Sequence, residues 1–290
     1  KAVKIGGENV FPLYSFDAAI ENAPKVGIEI TDFGMEHEPE CIKKYYEGCA
    51  TLADMARKAA SMEGVDFLSF RMEGGDPNGA NKSTEELIGE LKEISDAVDL
   101  PLVVCGCKNV EKDAELFSKA AEALNGKNAV ILSAKEENYK TVGAAAGLAY
   151  KQVVGAESAV DINLAKQLNV LISQLGVDSK SVVMNVGTAA VGYGFEYVIS
   201  TMDRVKAAAL QQGDANLQMP IITPVASEAW GVKEAMASET DAPEWGSQEE
   251  RGIDMEVETA MAVIAAGSNA VILKHPESIK IISGLMKELV

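Results

Sequence analysis

The side chains with chemical capacity in this chain gather where apolar runs stop. Asp32 ends the run Lys25–Asp32 ("KVGIEITD"), and Arg71 and Met72 end Val65–Met72 ("VDFLSFRM"). Cys105 and Cys107 end Leu100–Cys107, and Lys135 ends Ala129–Lys135. Asp161 and Asn163 stand at the end of Ala156–Ile162, Asn185 and Thr188 at the end of Ser181–Thr188, Ser227 just past Met219–Ala226, and His275 at the end of Ala270–His275. Each type suggests a chemistry and a plainer alternative. Asp32 and Asp161 are paired carboxylates for acid–base work, or caps on loops and helix N-termini. Lys135 and Lys274 are Schiff-base nucleophiles if burial lowers their pKa, or ion-paired lysines. His275, one of two histidines with His37, is a base or a structural hydrogen-bonding group. The four cysteines, spaced as Cys41/Cys49 and Cys105/Cys107, lack the C-x-x-C pairs that zinc or iron–sulfur ligation favours, so buried reduced thiols are expected.

Glycine marks further places. "EGGDPNGANK" (Glu73–Lys82) carries Gly74, Gly75 and Gly79 but is not a phosphate-binding loop, because G-x-x-x-x-G-K-[ST] is missing. "SVVMNVGTAAVGYGF" (Ser181–Phe195) runs from β-branched residues into Asn185, Gly187 and Thr188, where backbone without side-chain bulk lets something large come close. The connection from Ser227 to about Gly252 is long beside the usual roughly two to six residues, and it holds both tryptophans, Trp230 and Trp245. They are either interface anchors or staples that fold back on the body of the protein.

These positions need a scaffold. The eight apolar runs alternate with amphipathic helical stretches. Ser83 with Glu86 opens one helix as a capping box, and Asn109 opens another that stops at Gly126. Eight such units in 290 residues predict an α/β fold, a single TIM (β/α)8 barrel, with every run-ending residue above on one mouth. An open doubly wound sheet is the alternative, but no G-x-G-x-x-G follows the first run. Residues 25–290 form the barrel in this reading, and 1–24 an N-terminal extension that plugs or flanks its bottom.

Hydrophobic residues make up 47% of the chain, enough for a large core, and the formal net charge is −18. That charge argues against nucleic acid and against an anionic membrane surface as partners. No signal-peptide core and no apolar run of about 18 residues is present, so a cytoplasmic protein is expected. The acid-rich tracts Glu36–Glu40 and Glu239–Glu258 are solvated surface or meet a basic partner.

Three stretches are more specific than any short motif. "ENVFPLYSFDAAIENAPKVGIEITDF", "FRMEGGDPNG" and "VVMNVGTAAVGYGFEY" resemble the small, or delta, subunit of the corrinoid iron–sulfur protein of the acetyl-CoA decarbonylase/synthase (CO dehydrogenase/acetyl-CoA synthase) system, with similarity over essentially the whole chain. The resemblance implies a TIM barrel paired with a large subunit that carries an iron–sulfur cluster and a corrinoid (cobalamin), with the barrel mouth covering one face of the ring. It implies a heterodimer that takes a methyl group from methyltetrahydrofolate through a separate methyltransferase and delivers it to acetyl-CoA synthase in the reductive acetyl-CoA (Wood–Ljungdahl) pathway. The chain is then expected to contact the corrinoid without ligating cobalt and to be non-catalytic alone. With a corrinoid as the object, strand-end position nominates Asn185, Gly187, Thr188, Arg71, Met72, Gly74, Ser227 and Trp230 as contacts. The rival function is a methyltetrahydrofolate-binding corrinoid methyltransferase of the same barrel type, using "VDIN" (Val160–Asn163) and Asn185.

Overall fold

The computed structural model describes residues 2–6 and 10–290. Eight strands form one parallel sheet: β1 Lys25–Thr31, β2 Phe67–Arg71, β3 Leu102–Cys105, β4 Val130–Ala134, β5 Val153–Glu157, β6 Val182–Asn185, β7 Ile222–Pro224 and β8 Ala270–Leu273. The hydrogen-bonded order is β6-β5-β4-β3-β2-β1-β8-β7. A bridge between Met184 and Ile221, with Met184 N donating to Pro220 O at 2.8 Å, brings β6 against β7 and closes the ring. Short strands of mainly apolar residues, buried on both faces, give this result, because each needs helices outside and side chains within.

The interior is packed. Phe67, Val103, Leu132, Val183, Ile222 and Ile272 form the cluster inside the ring. Gly27 lies opposite Phe67 in the β1–β2 register, and a Cβ there would sit 2.1 Å from the phenyl ring, so glycine on one strand makes room for the aromatic on the next. Ile5 packs against the same interior cluster, Gly6 lies over Pro220, and Asn22 Nδ2 donates to Gly6 O at 2.9 Å. Ile5 and Gly6 thus pack on the strand side of the barrel, while Lys1 and Gly7–Asn9 lie outside the described residues. A second, larger cluster fills the layer between the strands and the outer helices.

Caps set several helix starts. Ser83 accepts from Glu86 N before helix Thr84–Ala97, and Asn109 accepts from Lys112 N before Val110–Ala123, which is followed by Gly126 at φ +84°. One strand lies elsewhere than its sequence pattern suggests. β5 is Val153–Glu157, not Ala156–Ile162: Val153 and Val154 pair with β4, and the chain then turns through Ala159 and Val160 at positive φ (46° and 66°). Asp161 caps the helix Ile162–Gln174 by accepting from Asn163 N and Leu164 N.

Candidate functional site

The C-terminal strand ends enclose a mouth divided into two cavities, of 290 Å³ and 380 Å³, that share Arg71, Gly106, Lys108 and Ser227. Asn185 organises the first. Its Nδ2 donates to Ser133 Oγ at 3.0 Å and lies 3.5 Å from Glu157 Oε2, while its Oδ1 accepts Gly187 N at 3.1 Å. The side chain therefore ties together the ends of β4, β5 and β6 and sets the course of the glycine loop. Gly187 itself has φ +95°, and a Cβ would press on Val160, so this glycine is demanded by the turn of the chain. Thr188 is half-buried on the wall of this cavity, and its Oγ1 is buried without a hydrogen-bond partner among the described residues.

Arg71 lies between the cavities. Its Nε and Nη2 both donate to Glu29 Oε2, at 3.0 and 2.9 Å, and both side chains are buried. Burial acts to discharge the guanidinium, but the Glu29 carboxylate outweighs it, with Cys105 and Glu73 adding, and the pKa stands above the ordinary arginine range. Ser227, on the short helix Ala226–Ala229, lines both cavities.

Three nominated contacts are placed differently. Met72 is wholly buried in the layer between strands and helices, because the register that turns Arg71 inward turns its neighbour outward. Gly74 is also buried and lines neither cavity. Its N–H donates to both oxygens of Asp32, at 3.0 and 3.1 Å, and a Cβ would collide with that carboxylate, so the position is closed by Asp32 rather than opened for a ligand. Trp230 reaches the second cavity but is 5% exposed, stacked on His275 at 5.8 Å with an interplanar angle of 13°. Gly252 lies under its ring, where any Cβ would be 2.2 Å from the indole. Trp230 is thus a staple. Trp245 has Lys233 and Arg251 against its ring, and Arg251 also donates to Glu234 O and Ala237 O, which pins the long seventh connection down.

The remaining reactive groups are held in resting forms. Burial pushes the Cys105 thiol up to about 11 and that of Cys107 up to about 12, so neither is a thiolate at neutral pH. Lys135 pairs with Glu157 at 3.3 Å. Lys274 pairs with Glu38 at 2.7 Å, and although burial acts to lower its pKa, Glu38 and Glu29 raise it above the usual lysine value, the opposite of what an amine nucleophile needs. His275 caps the last helix, Pro276–Leu289, with its Nδ1 accepting from Glu277 N at 3.1 Å. Packed between Tyr45 and Trp230, it is held neutral by burial, its pKa lowered to about 4.

The chain matches the CO dehydrogenase/acetyl-CoA synthase delta subunit family over residues 1–286. It belongs to that family. It is 30% identical over 296 residues to acetyl-CoA decarbonylase/synthase complex subunit delta 1 of Methanosarcina thermophila, covering 100% of this chain and 66% of that protein. It is 32% identical over 284 residues to the delta subunit of Methanothermobacter thermautotrophicus, covering 97% of this chain and 71% of that one. The chain thus spans about two thirds of the length of the curated relatives it matches. Among solved structures, dihydropteroate synthase of Thermus thermophilus in complex with 4-aminobenzoate superposes with a TM-score of 0.56 at 13% identity, covering 92% of this chain and 95% of that one. The Xanthomonas albilineans enzyme in complex with 7,8-dihydropteroate gives 0.54 at 12% identity, covering 92% and 93%. At that identity the likeness concerns the fold, and it agrees with the closed parallel barrel.

Within this delta-subunit chain, sequence reasoning found Arg71, Asn185, Thr188 and Ser227 at the mouth but missed Glu29, Ser133 and Glu157. Glu29 carried a signal: it is the lone charged residue inside the apolar run "VGIEI", and a charge there has to face the barrel interior and find a partner. No helix among the described residues is long and apolar enough to cross a membrane.

Proposed function

We propose that this chain is the small subunit of a heterodimeric corrinoid iron–sulfur methyl carrier, whose barrel mouth covers a corrinoid held by a large, iron–sulfur-bearing partner subunit. The observation that carries the reading is the first cavity: Asn185, the hydroxyls of Ser133, Thr188 and Ser227, and Gly106 and Gly187 stand on its wall beside the charged Arg71, Lys108, Lys135, Asp113, Glu157 and Glu228, and one buried hydroxyl, Thr188 Oγ1, has no partner among the described residues. A corrin ring is broad and flat with amides around its edge, and such a rim needs both donors and acceptors at close range. Thr188, Ser227 and Lys108 would hold that edge, with Asn185, Ser133 and Glu157 fixing the loop behind them. The corrinoid, when bound, supplies a cobalt centre that accepts and releases a methyl group. The chain's own part is to cover, orient and keep out water. His275 is buried behind Trp230 with its Nδ1 engaged, so its role is to cap a helix.

In this reading the methyl group comes from methyltetrahydrofolate through a methyltransferase and goes to acetyl-CoA synthase. Hydrogen exchange on the assembled heterodimer, with and without corrinoid, tests the cap. The amides of 186–194 are expected to slow at least about tenfold when the corrinoid is present. Unchanged exchange there would contradict the assignment. Calorimetry of the isolated chain with methyltetrahydrofolate is the companion measurement, since tight binding would favour a methyltransferase instead.

A further inference from the structure

The second cavity differs in character from the first. It is lined by four carboxylates, Glu29, Glu38, Glu73 and Asp76, and by the cations Arg71, Lys108 and Lys274. The cations are already engaged: Arg71 with Glu29, Lys274 with Glu38, and Lys108 with Glu228, a residue of the first cavity. Glu73 and Asp76 pair with no cation among the described residues. Beneath them Glu29 is 3% exposed, and both bonds from Arg71 fall on its Oε2. Oε1 is buried with no hydrogen-bond partner among the described residues. A buried carboxylate oxygen is costly unless a donor reaches it. The same cavity has the rings of Phe33 and His37 on its wall, 4.7 Å apart edge to face.

An unsatisfied acceptor, surplus negative charge and aromatic walls select a flat cation with several N–H donors. A guanidinium meets all these demands: it delivers parallel N–H groups to carboxylates, lies against aromatic faces and gives up hydration more readily than an ammonium. We propose that this cavity receives a guanidinium group, the side chain of an arginine projecting from the protein that covers the mouth. The proposal rests on the cap reading for the existence of a covering partner. It adds to it a charged anchor beside the cofactor wall, since the two cavities open on one mouth and share Arg71 and Ser227. Such an anchor would fix the angle at which partner and barrel meet, leaving the first cavity to the ring edge.

The test uses methylguanidinium as probe on the full chain, with methylammonium and acetate as comparisons, followed by calorimetry. Saturable binding of methylguanidinium at least about tenfold tighter than methylammonium is expected, with no binding of acetate. Glu73→Gln, at an exposed rim position that cannot unfold the barrel, should weaken it at least about threefold. Glu29→Gln should weaken it more, while Glu122→Gln on a distant helix should leave it unchanged. In the assembled heterodimer the probe site should be lost, because the partner's arginine fills it. Equal binding of the two cations, or no effect of Glu73→Gln and Glu29→Gln, would overturn the site. Probe binding retained after assembly would overturn the partner as its occupant. The corrinoid-dependent exchange at 186–194 is read separately, so the anchor can fail while the cap stands, or the reverse.

Discussion

His275 shows how position and residue type together can make a structural role legible. The sequence places it at the end of the last strand beside Pro276, where a lone histidine is more often a structural hydrogen-bonding group than a base. The structure buries it, stacks Trp230 on it and turns Nδ1 to the first free N–H of the terminal helix. Burial is the main cause of its lowered pKa, Glu249 acts against that and Lys44 with it, leaving a value of about 4. The folded pKa is thus below the unfolded one, near 6.5. Above pH 6.5 the neutral ring contributes its full stability, and as pH falls from 6.5 toward 4 the unfolded chain takes up the proton more readily and stability is lost. The whole window is worth roughly 3 kcal/mol. Buried Glu256 and Asp113, whose pKa values burial raises, shift stability the other way over acid pH, so the difference between variants isolates the histidine. His275→Asn keeps an acceptor for the helix cap and removes the titration. Its unfolding free energy should therefore fall less between pH 7 and pH 4 than that of the parent, by about 3 kcal/mol, in denaturant titrations at each pH. Parallel pH profiles would refute a buried neutral histidine. Glu29, by contrast, was visible only as an anomaly, because the partner that explains it, Arg71, lies 42 residues along the chain and meets it only once β1 and β2 are paired.

Elements were legible wherever hydrophobic period and cap agreed. Ser83 and Asn109 each start the helix their residue type announces. The fifth strand was displaced because "VVGAESAVDI" offers alternating apolar residues over its whole length, and alternation alone does not say where pairing stops. What ends it is the left-handed backbone at Ala159 and Val160, a conformation that a β-branched residue adopts only when its surroundings hold it. Val160 N donates to Val186 O at 2.8 Å, and Thr201 Oγ1 donates to Val160 O at 3.2 Å, so the turn is fastened to the loop after β6 and to the helix Phe195–Leu210. Asp161 follows as the helix cap, the plainer of the two roles its sequence position offers, and accepts from two backbone N–H groups. Asp161→Ala should lower stability by about 1 kcal/mol, and Asp161→Asn or Asp161→Ser should restore most of it. Chemical denaturation checks this. A loss confined to cofactor retention, with stability unchanged, would return Asp161 to the functional residues.

At the scale of the molecule, the closed barrel explains both what the sequence predicted and what it left open. The ends of eight strands come to one mouth because parallel strands all finish on the same side, a consequence of topology that needs no knowledge of contacts. Whether a side chain then points inward, as Arg71 does, or outward, as Met72 does, depends on register, and that is fixed by cross-strand pairing rather than by local pattern. The mouth that results has its polar groups hydrogen-bonded and ion-paired and its thiols protonated, and the proposed cap over a cofactor edge makes a direct prediction about it. The most direct test is a distance. A nitroxide on Tyr193→Cys, an exposed position on the loop beside the mouth, in a chain whose half-buried Cys41 and Cys49 are replaced by serine, is brought together with the large subunit carrying cobalt(II) corrinoid, and its relaxation is measured by electron paramagnetic resonance. Strong relaxation enhancement by the cobalt is the predicted result for a group lying across the mouth. A label that relaxes as it does without cobalt would place the metal elsewhere and contradict the account.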